Sequence, residues 1–122
     1  DVLVAPSYVE SFSYSLLEAM SMQRPVIATD VGGNREMMVD GESGLIVPAV
    51  EVPALVGAAE RLLTDAELRA RLGRAARARV LQRFTLAEMA RRTTAIYREV
   101  LQARSSGLPH AEVRRRVQQL SA

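Results

Sequence analysis

Residues 2–29, VLVAPSYVESFSYSLLEAMSMQRPVIAT, decide the fold class. Val2-Leu3-Val4-Ala5 is a short apolar run closed by Pro6-Ser7, the pattern of a strand buried in a parallel sheet. From Tyr14 to Met22 the period changes. Leu16, Leu17, Ala19 and Met20 recur at helical spacings and make one apolar face. Ser11, Ser13 and Ser15 are candidate N-caps, and Ser15 with Glu18 has capping-box spacing. Arg24-Pro25 stops the helix, and Val26-Ile27-Ala28-Thr29 is a second apolar strand. Strand, helix and strand in this order predict a parallel crossover unit.

The same alternation continues outward. Asp30-Val31-Gly32-Gly33 is a turn, and a short helix is predicted over Arg35–Val39, with Asn34 as its cap and Asp40-Gly41 as its close. Gly44 leads into a third strand, Leu45-Ile46-Val47, ended by Pro48. The prediction is an α/β fold with about three parallel strands, intervening helices and a helical C-terminal part. Pro53 suits a first helical position, with Leu55, Val56, Ala59, Leu62 and Leu63 on the inner side. Thr64-Asp65-Ala66-Glu67 has the form of a capping box for a helix that turns Leu68, Leu72, Ala75, Ala76 and Val80 inward. Thr85 to Glu88 repeats that form before a helix to about Arg104, with Ala90, Thr94, Tyr97 and Leu101 predicted inward. Ser105 to Pro109 breaks the chain, and Glu112–Leu120 is weakly helical and basic.

Composition narrows the function classes. The 122 residues suit one domain, and 48% apolar with 25% charged residues is not a disordered composition. There is no cysteine, which excludes disulfides, zinc–thiolate sites and cysteine nucleophiles. One histidine, His110, cannot build a His-rich metal site, and it is expected to be exposed and not catalytic. No apolar stretch approaches the roughly 20 residues of a bilayer span. The start within a strand suggests sequence upstream. All sixteen positive residues are arginine. Residues 1–60 hold two arginines and nine carboxylates, and residues 61–122 hold fourteen arginines and five carboxylates. The basic half suits RNA, anionic lipid or a protein partner, or a plain arginine-rich helical surface. The last is favoured, because no aromatic platform accompanies the arginines.

In parallel sheets ligands bind beyond the C-terminal strand ends. Glu10 falls there, in a loop, and the first helical turn at Ser11–Ser15 presents amides suited to phosphate. Glu18 lies deeper in the helix. The two carboxylates either bracket a phosphorylated ligand or are a chance pair in which Glu18 caps Ser15 or faces solvent. Thr29 to Glu36 faces the same rim, and its paired glycines allow close backbone approach. A structural turn is the plainer alternative. The dinucleotide fingerprint GxGxxG is absent, and without lysine there is no P-loop. Arg35 suits either a phosphate or a surface salt bridge, and Tyr8 and Tyr14 either edge a pocket or pack.

Several blocks occur in order: Pro6-Ser7, Glu10, Phe12-Ser13, Leu16, Glu18-Ala19-Met20; Arg24-Pro25-Val26-Ile27-Ala28-Thr29-Asp30-Val31-Gly32-Gly33; Glu36; and Asp40-Gly41-Glu42-Ser43-Gly44-Leu45-Ile46-Val47-Pro48. Together they closely resemble the C-terminal, donor-binding domain of retaining nucleotide-sugar glycosyltransferases of the GT-B fold, the large "group 1" family. The resemblance covers residues 1–104, as the second half of that domain, implies a partial Rossmann-like three-layer α/β fold, and leaves 105–122 as a basic, weakly helical tail. It implies that Glu10 is the first glutamate of a Glu-x7-Glu motif, lying against the donor sugar as the catalytic residue. It implies that Glu18 binds the ribose hydroxyls. The amides of Phe12, Ser13, Tyr14 and Ser15 would meet sugar hydroxyls and diphosphate. Family members often have glycine at the places of Ser11 and Ser13, so the β-carbons here narrow the approach. Gly32, Gly33 and Glu36 match a structural rim element.

The implied chemistry moves a sugar, in hexosyltransferase fashion, from a nucleotide-diphosphate donor to an acceptor, with no cofactor and no metal. The family domain opens with further strand–helix units, and a separate N-terminal domain carries the acceptor site. The chain is therefore expected to be inactive alone and to pair with that missing half-domain or domain. Self-association through the exposed strand edge is a further expected contact. The complete enzyme is expected in the cytoplasm, with peripheral contact at the inner face of the membrane, and no nucleic-acid partner is expected. The alternative is a non-catalytic α/β module that binds a phosphorylated ligand or a partner.

Overall fold

The computed structural model describes residues 1–121, with Ser121 described by its backbone only; the tail expected over 105–122 ends at Ala122, outside the described residues. The chain divides into two compact units, residues 1–82 and residues from Arg83 onward.

The first unit contains β1 (Leu3–Ala5), α1 (Tyr14–Ser21), β2 (Val26–Thr29), α2 (Asn34–Met37), β3 (Leu45–Val47), α3 (Val52–Thr64) and α4 (Ala66–Arg83). Its sheet has the order β1-β2-β3 and is parallel throughout, pairing Val4 with Ile27 and Ala28 with Ile46. This is the partial Rossmann-like α/β architecture expected from residues 2–48. β2 is central and wholly buried, as its unbroken apolar run requires. β1 is an edge strand, and Val4 is 41% exposed on it. α1 packs on β1 and β2, and α3 on β2 and β3. Ile27, Leu45 and Val47 of the sheet share one cluster with Ala58 and Leu62 of α3 and Leu72 of α4.

Local chemistry sets the ends of these helices. Of the three serines, Ser13 is the N-cap of α1, its Oγ accepting from the Leu16 amide at 3.4 Å. The spacing of Ser15 with Glu18 is coincidental, because Ser15 lies inside the helix. α1 stops before Pro25 is reached. Gln23 adopts the left-handed region at φ 59°, and the Arg24 amide reaches back to the Ala19 carbonyl at 2.9 Å. α4 starts differently from the expected capping box. Asp65 is the cap, accepting from the Leu68 amide at 2.8 Å, whereas Thr64 ends α3 with its hydroxyl on the Glu60 carbonyl. A carboxylate one residue nearer the helix outcompetes the threonine. On α3, Val56 and Leu63 are exposed, and the inner face is carried by Ala54, Leu55, Ala58, Ala59 and Leu62.

α4 joins the unit together through its arginines, which donate to backbone carbonyls. Arg69 donates to Leu62 and Leu63 at the end of α3, Arg71 to Gly41, and Arg77 to Ser21 at the end of α1. Cations at helix C-termini satisfy carbonyls that lack an intrahelical donor and oppose the negative end of the dipole.

The second unit contains α5 (Leu86–Ser105) and α6 (His110–Ser121), which pack on each other. Thr85 caps α5 through the Glu88 amide at 3.2 Å. The expected inner face of α5 is reversed: Ala90, Thr94, Tyr97 and Leu101 are exposed, and Ala103 is buried with Ile96, Glu99 and Val100 half-buried beside it. The contact with α6 is partly ionic, because Arg116 reaches Glu99 at 3.2 Å. The packed face therefore carries a carboxylate that apolar patterning does not count. His110 is exposed at the start of α6.

Candidate functional site

The C-terminal ends of the strands open onto the loop 6–13. Thr29, the last residue of β2, donates its hydroxyl to the Ser7 carbonyl at 2.6 Å. Asn34 donates its side-chain amide to the Thr29 carbonyl at 2.9 Å. Asn34 therefore works inside the rim and does not cap α2, which begins at Asn34 itself with Gly33 at the N-cap. Among the described residues its Oδ1 is buried without a hydrogen-bond partner.

Glu10 and Ser11 pass directly against Gly32 and Gly33. The Gly33 amide donates to the Glu10 carbonyl at 3.3 Å. A β-carbon on Gly32 would fall onto the Glu10 carbonyl oxygen, and one on Gly33 onto that of Ser11. Gly32 also has φ +49°, in the left-handed region. The paired glycines thus shape the loop that holds Glu10. Among the described residues the Glu10 side chain, half-buried, has no hydrogen-bond partner.

The loop feeds into α1. Ser13 is buried, with its hydroxyl 3.1 Å from that of Ser15. The amides of Leu16 and Leu17 are taken by the Ser13 side chain and carbonyl. Those of Tyr14 and Ser15 have no partner among the described residues and remain at the positive end of the helix. Phe12 and Tyr14 stack edge to face, ring centres 5.5 Å apart, and both are exposed. Glu18 is exposed in the second half of α1, and no side-chain bond restrains it among the described residues.

The remaining candidates lie apart. Tyr8 lines a small cleft of about 80 Å³ with Pro6, Thr29, Val47, Pro48 and Leu55, and Glu10 is not part of its wall. Arg35 forks onto Asp30 through Nε at 2.5 Å and Nη2 at 2.6 Å. The guanidinium's hydrogen bonds hold the Asp30 carboxyl below its usual range. Of the two roles open to Arg35, the structure takes the salt bridge. The Glu36 side chain is exposed, and its carbonyl, with that of Met37, accepts from Arg79 at 2.9 and 2.8 Å. Arg79 was not legible as a rim residue, because its partners lie more than forty positions away. Among the described residues no group of three or more His, Cys, Asp or Glu is placed to hold a metal ion. Among them, too, no helix is long and apolar enough to cross a membrane.

Comparison with known proteins gives one answer. A family model described as glycosyl transferases group 1 matches residues 1–79. The alpha-D-kanosaminyltransferase of Streptomyces kanamyceticus is 36% identical over 100 residues, covering 82% of this chain and 26% of that protein. The lipopolysaccharide core biosynthesis mannosyltransferase LpsB of Rhizobium meliloti (strain 1021) is 36% identical over 103 residues, covering 83% of this chain and 29% of that protein. The chain thus spans between a quarter and a third of the length of these curated relatives. Among solved structures, sucrose-phosphate synthase from Thermosynechococcus elongatus matches with a TM-score of 0.76 and 37% identity over 84% of this chain and 26% of its own. HepE from Anabaena, solved in complex with UDP, matches with a TM-score of 0.67 and 25% identity over 87% of this chain and 28% of its own.

Proposed function

The chain belongs to the group 1 glycosyl transferases, and from that premise we propose that it is the donor-gripping part of a retaining nucleotide-sugar glycosyltransferase, inactive by itself. Residues 1–104 then correspond to the second half of the donor-binding domain, and residues from 105 onward to a basic tail. The observation that carries this reading is the start of α1. Among the described residues the amides of Tyr14 and Ser15 have no partner, and they lie at the positive end of a helix, between Glu10 and Glu18 in sequence. The diphosphate of a nucleotide sugar is the anion such a turn suits, and a relative of this fold is solved with UDP.

In this reading Glu10 lies against the donor sugar and Glu18 takes the ribose hydroxyls. Transfer breaks the bond from the anomeric carbon to the diphosphate oxygen and forms one to an acceptor oxygen. The nucleoside diphosphate leaves with the electron pair and takes up the proton of the acceptor hydroxyl. N–H dipoles fixed before the reaction stabilise that charge without reorganisation. The acceptor and the rest of the donor site belong to an upstream half-domain and an N-terminal domain. The family likeness also carries the expectation of a cytoplasmic enzyme, at or near the inner face of the membrane.

The test supplies the missing parts from a relative. Residues 1–104 replace the matching segment of the Thermosynechococcus elongatus sucrose-phosphate synthase, and transfer is measured with Glu10→Ala and Glu18→Ala. Loss of transfer in both is the expected result, and unchanged turnover in both overturns the reading. In the 122-residue chain itself, UDP, GDP and ADP are titrated while the Tyr14 and Ser15 amides are followed by NMR. Glu18→Ala should weaken the response to the nucleotides and leave that to pyrophosphate unchanged.

A further inference from the structure

We propose that Arg79 is the positioning residue of the candidate donor site, setting the place of Glu10 through α2; its role in transfer rests on the donor reading of Glu10. The inference starts from the size of α2. Four residues make one turn, and a helix of that length has no stability of its own. It must be held from outside, and both ends are. At its start, the Gly33 amide holds the Glu10 carbonyl and the Asn34 amide holds the Thr29 carbonyl. At its end, the carbonyls of Glu36 and Met37 have no helical donor left to serve them. Arg79 serves both, with Nε 2.8 Å from Met37 O and Nη2 2.9 Å from Glu36 O.

The two donors lie along one edge of a planar guanidinium, so the contact fixes the direction of the short helix as well as its distance from α4. Whatever moves α2 moves Gly32 and Gly33, and the bond from the Gly33 amide to the Glu10 carbonyl passes that movement to the loop. The Glu10 side chain has no hydrogen bond of its own among the described residues, so this backbone contact is what locates it. The other α4 arginines reach different places. Arg71 makes a similar bond to a carbonyl, that of Gly41 at 3.2 Å, and serves as the control.

The experiment uses the 122-residue chain and two variants, Arg79→Lys and Arg71→Lys. Lysine keeps the charge and cannot span two carbonyls as a rigid fork. Hydrogen exchange of individual amides is read by NMR. Arg79→Lys should speed exchange at Gly33 about tenfold, the equivalent of one charge-assisted bond, and shift the Glu10 resonances. Arg71→Lys should leave Gly33 within about twofold, as expected for sites that share no partner. Unchanged Gly33 exchange in Arg79→Lys overturns the proposal, and so does a uniform rise across all amides, which marks general destabilisation. If Arg79→Lys does not fold, the parent chain decides. A protected Arg79 Nε–H with cross-peaks to Met37 supports the link, and a freely exchanging one overturns it. Titration with UDP then separates the two layers. A response at Glu10 that weakens in Arg79→Lys supports the role in donor binding. An unchanged response overturns that role; transfer by the sucrose-phosphate synthase chimera judges the donor reading, and Gly33 exchange judges the link to α2.

Discussion

Replacing Gly32 by alanine adds two separable penalties. Gly32 has φ +49°, and a β-carbon there would land on the Glu10 carbonyl. Gly41 has φ +72° with nothing within 4 Å of its would-be β-carbon. Gly33 has an ordinary φ of −78° and meets the Ser11 carbonyl. Gly41→Ala therefore isolates backbone strain, about 1–2 kcal/mol in the left-handed region, less about 0.4–1 kcal/mol regained from a stiffer unfolded chain. Gly33→Ala isolates the collision, about 1–3 kcal/mol by analogy with an overpacked core. Gly32→Ala combines them, at about 1–5 kcal/mol in all. Urea unfolding gives each value from the shift in midpoint at constant slope. The loop relieves the collision by moving, so the NMR signals of Glu10 to Ser15 should shift in Gly32→Ala and Gly33→Ala and stay in place in Gly41→Ala. If Gly32→Ala costs no more than Gly41→Ala, the rim glycines do not hold the Glu10 loop and the reasoning fails.

Three other outcomes follow from the structure. Leu62 is fully buried in the cluster between sheet, α3 and α4, so Leu62→Ala should lower unfolding free energy by about 2–5 kcal/mol in the same assay; a cost under 1 kcal/mol would place the core elsewhere. Asp65→Ala should cost about 1 kcal/mol by loss of the α4 cap, and Thr64→Val almost nothing, whereas the reverse order would restore the capping box expected from sequence. Hydrogen bonds from Arg91, then Arg92, lower the Glu88 carboxyl from 4.5 to about 2. Its folded value lies below the unfolded one, so its contribution is complete above about pH 4.5 and fades as pH falls toward 2. Thermal melts of the parent chain and Glu88→Gln should therefore differ near neutrality and converge at pH 2, and a gap that ignores pH would exclude this ion pair as a source of stability.

How far the sequence could be read depended on the range of the interactions. β2 and α1 were legible because an apolar run and a helical repeat are local patterns. Glu10, Glu18 and the paired glycines were legible as a motif, and the mutual fit of Gly32 and Glu10 was not, since it joins two loops through backbone atoms. Asn34 looked like a cap because asparagine favours helix starts. Its side chain goes instead to Thr29, a carbonyl left open where β2 ends. On α5 the periodicity points to the wrong face, because Tyr97 and Leu101 outweigh Glu99 on any apolar count. The packed side is chosen by a partner helix that brings Arg116.

The arginines of α4 and those of the second unit look alike in composition but differ in what they meet. Arg69, Arg71, Arg77 and Arg79 donate to neutral carbonyls, whereas Arg91, Arg92 and Arg116 pair with carboxylates. Dissolved salt screens the attraction between exposed opposite charges and leaves short bonds to neutral oxygens nearly untouched. Ionic strength therefore separates arginines of the C-terminal half that composition alone does not tell apart. In concentrated sodium chloride the ion pairs of the helices after Arg83, and the exposed Asp30–Arg35 pair, should weaken first, while the carbonyl bonds from α4 hold.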